Sequence, residues 1–342
     1  MKWRGGETCR LEPTSQQPAE TMFCNTLSLF LRGLCLLGVL FAFPVFGQQR
    51  DVLVLGTATA GGGFEVYGEA VVKTIALADP LLVIDARNTA GSTENISLIE
   101  TGAVDMALIQ GEAAYEAFIA RAGKDSNLRI VAAMYPTAGM FVVRADSPYQ
   151  SIDDLKGHAV AFGAKSSGLV TLARYVLDGI GLDMERDFIP ILLDRAGDGP
   201  ALLRNGKVAA LWGGGSGWPV FTAVMAAPGG GRFIAPSHEQ IARIRTRFPF
   251  LQEQTLPPDT YSGQTAAIKS VGSWSFIMAR RTLPDDVVYR FCRALFIDEE
   301  KLSARYILVR ETTMKNTVAA LPRRELLHPG ALRYLEEHGV LR

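Results

Sequence analysis

Short β-branched runs alternate with helically spaced apolar positions along most of this chain. That is the signature of parallel sheets built from βα units. The first run, Val52–Leu55, leads straight into a Gly-rich turn, and a helical pattern follows over Glu65–Leu77. Strands are then predicted at Leu81–Asp85, Met106–Ile109, Val131–Met134 and Phe141–Arg144, with a helix over Thr93–Glu100. The same style returns in the middle of the chain, with strands at Ala159–Phe162, Ile189–Leu193, Val208–Trp212 and Phe233–Ala235. Helices there cover Leu169–Gly179, Asp198–Asn205 and Pro219–Ala226. One more strand, Trp274–Met278, precedes a helical end at Pro284–Phe296 and Pro329–Glu337. Two similar α/β blocks with no flexible linker between them predict two lobes joined by crossing strands. The first lobe comprises residues 48–137 plus 270–342, the second 138–269, and residues 1–47 stand apart.

Hydropathy also separates the N-terminus. Between Met22 and Gly47 the only charge is Arg32, and an apolar run from Gly33 to Phe46 follows it. The run is short for a bilayer span and ends at a small residue before the polar Gln48-Gln49-Arg50. A cleavable secretory signal peptide is therefore expected, with an uncleaved anchor as the alternative. Residues 1–21 are polar and unlike the start of a signal, so Met22 is the expected start. A periplasmic location follows from the signal.

Charge narrows the function. The 342 residues carry 35 basic and 35 acidic side chains in no runs, which speaks against nucleic acid, a ligand that needs a clustered basic face. Of four cysteines, Cys9, Cys24 and Cys35 lie upstream of the expected cleavage, leaving Cys292 as a small core residue within an amphipathic stretch. The four histidines show no metal-ligand spacing, and no Gly-x-Ser-x-Gly elbow is present. No metal, no cofactor and no catalysis are expected.

Three strand-to-helix turns hold the candidate chemistry: Gly56–Gly63, Asn88–Asn95 and Gly163–Gly168, each built largely from Gly, Ser, Thr, Ala and Asn. The N–H groups free at a helix start favour a carboxylate or phosphate, and glycines let the backbone approach it. The first turn has neither the dinucleotide fingerprint nor the Lys-Ser/Thr ending of a phosphate loop.

These turns carry a resemblance. Gly56-Thr57 with Gly61-Gly62, the Thr89–Asn95 turn, and the tract from Gly102 through Asp105 to Gln110 resemble a TAXI-type receptor of the tripartite ATP-independent periplasmic (TRAP) transporters. So do Tyr135-Pro136, Asp154–Gly157, Thr260-Tyr261 with Gly263-Gln264, Leu283–Tyr289 and His328–Ala331. The match runs over nearly all of the chain after the signal. It implies a type II periplasmic-binding-protein fold, α/β in two lobes, that captures a small polar, anionic solute, an amino acid or organic acid. The receptor would act as a monomer and hand the solute to a TRAP-type membrane permease. This chain departs from the family where Phe64-Glu65 replace a usual tyrosine pair, and where Ser166-Ser167-Gly168-Leu169 replace Gly-Ser-Gly-Thr.

The candidate ligand contacts are Thr57, Thr59, Gly62, Glu65, Thr89, Ser92, Asn95, Gln110, Ser166, Ser167, Arg195 and Trp218. Gln110 either meets a ligand or pairs with backbone at its strand end. Glu65 either reads an amine or is solvated. Arg195 either clamps an anion or pairs within its loop. Trp218 and Trp212 suit a wall or lid, or the core. Rival functions are a sensor module docking on a membrane kinase and an enzyme on the same two-lobed fold.

Overall fold

The computed structural model describes residues 50–120, 126–297 and 307–341. The signal peptide, its cleavage at Gly47, the start at Met22 and the three upstream cysteines lie outside those residues.

The first sheet opens with β1 (Asp51–Gly56), followed by α1 (Gly63–Ala78) and β2 (Leu82–Arg87). The helix buries Tyr67, Ala70, Val71 and Ile75, the spacing that places one apolar stripe on a sheet. Then come α2 (Ser92–Thr101), the fully buried β3 (Met106–Ile109), α3 (Gly111–Ala120) and β4 (Leu128–Pro136). After Pro136 the chain leaves this sheet, and β5 (Gly139–Arg144) starts the second. There follow β6 (Ala159–Ala164), α4 (Gly168–Gly179), α5 (Met184–Asp187), β7 (Ile189–Leu193), α6 (Gly199–Arg204) and β8 (Ala210–Gly214). Next are α7 (Pro219–Met225), β9 (Gly231–Ile234), α8 (His238–Arg247) and a hairpin of β10 (Gln252–Leu256) with β11 (Ile268–Gly272). The return strand β12 (Trp274–Arg280) and helices α9 (Asp285–Phe296), α10 (Met314–Ala320) and α11 (Pro329–Glu337) complete the chain.

The two sheets have one design. Their orders are β2-β1-β3-β12-β4 and β7-β6-β8-β5-β9. In each, three strands run parallel and the fourth is antiparallel to both neighbours: β12 between β3 and β4, β5 between β8 and β9. The sheets are therefore mixed, where the sequence pattern suggested parallel ones. A strand that arrives from the other sheet enters from the opposite end, so the crossing reverses its direction.

The crossings pack backbone against backbone. The Thr137 amide donates to the Ser273 carbonyl at 3.0 Å, and a Cβ on Gly272 would stand 1.7 Å from the Thr137 carbonyl oxygen. Each sheet has its own core. Leu55, Tyr67, Ile75 and Met106 pack in the first, while Phe141, Phe162 and Trp212 pack on one face of the second and Phe221 on the other. Each such side chain contributes about 2 kcal/mol on burial. Trp212 is core, its indole N–H donating to the Leu169 carbonyl at 2.8 Å. Cys292 is also core, and burial pushes its thiol pKa up. Among the described residues no helix is long and apolar enough to cross a membrane.

Candidate functional site

The first turn is held from behind. Thr57 points inward, its hydroxyl donating to the Arg87 carbonyl at 3.0 Å. Glu65, in the first turn of α1, accepts from the Gly61 amide at 2.7 Å and from Asn88 Nδ2 at 2.9 Å, so it ties the first turn to the second. In the second turn the Thr89 hydroxyl donates to the Thr57 carbonyl at 3.1 Å. Asn95 is wholly buried, and its Nδ2 donates to the carbonyls of Thr57 at 2.7 Å and Leu108 at 2.8 Å. These four side chains brace the turns and do not reach the space between the sheets.

That space is a cavity of about 50 Å³, lined from both sheets. The first side supplies Thr59, Gly62, Gly63, Phe64, Ser92, Gln110 and Tyr135, and the second Gly163, Ser167, Leu169, Ala196 and Trp218. Six of the twelve residues singled out in the sequence thus meet here: Thr59, Gly62, Ser92, Gln110, Ser167 and Trp218. The starts of α1, α2 and α4 also converge on it, at Gly62-Gly63, Gly91-Ser92 and Ser167. Of the remaining two, Ser166 is not on the lining and accepts the Thr93 amide through its carbonyl at 3.2 Å. Arg195 is exposed and pairs with Asp198 at 2.8 Å, the loop pairing that was one of its two readings.

Three hydroxyls on the lining have hydrogens to give, and the Gln110 Oε1 faces Gly168 of the second side. The hydroxyls of Thr59, Ser92 and Ser167 accept from the amides of Ala196 (3.2 Å), Gln110 (3.1 Å) and Leu169 (3.2 Å), which leaves their own hydrogens to give. Gln110 is 4% exposed, and its Nε2 has no partner. Trp218 sets the edge of its six-membered ring against Gly213, where a Cβ would stand 2.0 Å from it, and its pyrrole edge meets Gly63. Its amide donates to the Tyr261 hydroxyl at 2.8 Å, and that hydroxyl donates to the Gly215 carbonyl at 2.6 Å. No Asp, Glu, Lys, Arg or His is among the lining residues.

A buried acid stands behind the lining. Glu112, at the start of α3, accepts the Ser273 hydroxyl at 2.8 Å, and its other oxygen has no partner. Burial pushes its pKa up to about 7. Ser273 and the Gln110 amide draw it down by less, the latter from a position short of hydrogen-bond geometry. In the sequence Tyr135 stands in a motif of the resemblance and Phe64 at a departure from it, neither with a role, and the structure puts both on the lining. Tyr261 belonged to a recognised motif without a role, and the structure makes it the support of Trp218.

The two sides also touch through backbone. The Gly197 amide donates to the Ala60 carbonyl at 3.2 Å, and a Cβ on Gly61 would stand 2.5 Å from the Gly197 Cα.

Comparison with known proteins places these features in a wider set. The model of a family described as NMT1-like matches residues 55–339. Among solved structures, a protein of Bordetella bronchiseptica RB50 is 14% identical, covers 85% of this chain and 82% of its own, and superposes with a TM-score of 0.51. The alkanesulfonate-binding protein SsuA from Xanthomonas axonopodis pv. citri, bound to MOPS, is 16% identical over 84% of each chain with a TM-score of 0.45. The periplasmic aliphatic sulphonate binding protein SsuA from Escherichia coli is 19% identical over 85% of this chain and 84% of its own, with a TM-score of 0.44. At these identities the likeness is one of fold.

Proposed function

The chain belongs to the NMT1-like family, and on that premise we propose that it is a solute-binding receptor that captures a small polar, anionic ligand between its lobes and catalyses nothing. One observation carries the reading. Three strand-to-helix turns from two separate sheets converge on one partly open cavity whose three hydroxyls have hydrogens left to give. Helix starts and free N–H donors suit an anion, and a cavity walled by Phe64, Tyr135, Leu169 and Trp218 suits a small organic body. The lining offers no nucleophile paired with a base, which supports binding over bond breaking.

Closure is the mechanism. The Thr137–Ser273 crossing joins the two sheets, and a ligand touching both sides stabilises the closed form through its greater affinity for that form. Export to the periplasm is supported by the apolar run before Gln48 and is checked by N-terminal sequencing of secreted protein. A TRAP-type permease as the partner is supported by the TAXI-like turns. Uptake that survives ATP depletion and fails with the ion gradient is the expected behaviour.

The direct test is calorimetry of the purified protein against organic acids, amino acids, sulfonates and sugars, repeated with Gln110→Ala. Removing the amide weakens binding about tenfold or more, as expected for a hydrogen bond to a charged group, with the melting temperature of the free protein little changed. Ser92→Ala is a less clean variant, because it also strips the Gln110 amide of its acceptor. Unchanged affinity in Gln110→Ala would put the site elsewhere.

A further inference from the structure

We propose that the solute is a small organic acid with one anionic group and no ammonium group. This deepens the receptor reading above and rests on it. Three side chains that are each more than nine-tenths buried line the cavity, and no hydrogen bond among the described residues takes up Gln110 Nε2, which lies on the Glu112 side, or Tyr135 Oη and Trp218 Nε1, which meet at Gly63. Trp218 Nε1 can only donate. The hydroxyls of Thr59, Ser92 and Ser167 already accept from backbone amides and have hydrogens left to give. With three helix starts beside them, these groups complement a ligand of acceptors, and an anion above all.

An ammonium finds no counterpart. The carboxylates nearest these turns are committed elsewhere, and Glu94, exposed on α2, accepts the Ala90 amide. Glu65 is turned to the Gly61 amide and Asn88, and Glu112 lies behind Gln110, engaged by Ser273. None of them is on the lining. Bringing an amino acid into this cavity would strip its ammonium of water with no charge to meet it, a cost that an acid of the same skeleton escapes. A second anionic group would likewise find no Lys or Arg, since Arg195 is paired with Asp198 outside. The apolar body lies against Trp218, Phe64 and Leu169. The cavity, at about 50 Å³, favours a short one.

The experiment is a calorimetric comparison of matched compounds on the purified protein. Lactate, pyruvate and α-ketoisovalerate are titrated beside alanine, valine and lactamide, which keep the skeleton but add an ammonium or remove the charge. At least one acid binds about a hundredfold or more tighter than its matched partners. Equal or tighter binding of alanine, valine or lactamide would overturn the assignment and leave the receptor intact. Binding only of a sugar or a dianion from the wider panel would do the same. Silence from every compound in both panels would overturn the receptor reading together with this one.

Discussion

Glu112 makes the most direct single-residue prediction. It is wholly buried, one oxygen meets only the Ser273 hydroxyl, and burial lifts its pKa from 4.5 to about 7. The folded protein therefore holds this proton more tightly than the unfolded chain. The stabilisation is complete below about pH 4.5 and is lost as pH rises through 7. At about 1.4 kcal/mol per pH unit, the gap amounts to about 3 kcal/mol. Glu112→Gln keeps an acceptor for Ser273 and removes the charge. The urea-unfolding free energy of the native protein should fall relative to that of the variant by roughly 2 kcal/mol between pH 5 and 8, a difference in which His328 cancels. A variant with the native slope would assign the loss to another group. His328 acts in the opposite sense, since burial lowers its pKa and its contribution is lost as the medium becomes acid. Residue type was legible in the sequence at this scale, but direction was not. Thr57, Thr89 and Asn95 are as small and polar as Ser92 and Thr59, yet they turn to backbone carbonyls behind the site. A turn sequence shows what can bond, and only the fold shows what is left unbonded.

Among the elements, the crossing between the sheets is the most constrained. A methyl on Gly272 would enter the Thr137 carbonyl oxygen at 1.7 Å, and backbone on both sides leaves it no room to move. Gly272→Ala should cost about 3 kcal/mol or more, by analogy with overpacked cores, measured as a fall in the urea midpoint at constant slope. A midpoint equal to the native one would mean that the crossing is loose. Strands such as β1 and β6 were legible because their apolar runs end in glycine turns. The β10–β11 hairpin was not, since Gln252–Leu256 reads QEQTL, nearly all polar, and its partner lies beyond a long connection. Helix α8 was missed for a related reason. Only Ile241 and Ile244 are buried in HEQIARIRTR, although Ser237 and Gln240 form a capping box that marks its start. The antiparallel direction of β5 and β12 is a property of the crossing, and no local pattern encodes it.

At the scale of the whole molecule, closure depends on residues too small to hold the lobes apart. Gly168 opens α4 on the second side, and a Cβ there would stand 2.5 Å from the Gln110 Cβ and 3.0 Å from the Ser92 hydroxyl on the first. The conformation of Gly168 is one that any residue can adopt, and alanine is a better helix former than glycine, so Gly168→Ala does not weaken its own lobe. Its methyl instead wedges the cleft. Because binding requires the closed form, apparent affinity falls with the fraction that can close, and a closed population cut to about a tenth weakens binding about tenfold. Two measurements separate this from a folding defect. The melting temperature of the free variant should match or exceed that of the native protein, and its radius of gyration in small-angle scattering should stay larger when ligand is added. If the variant bound as tightly as the native protein, the contact between Gly168 and Gln110 would not be part of the bound state, and the ligand would sit between lobes held further apart.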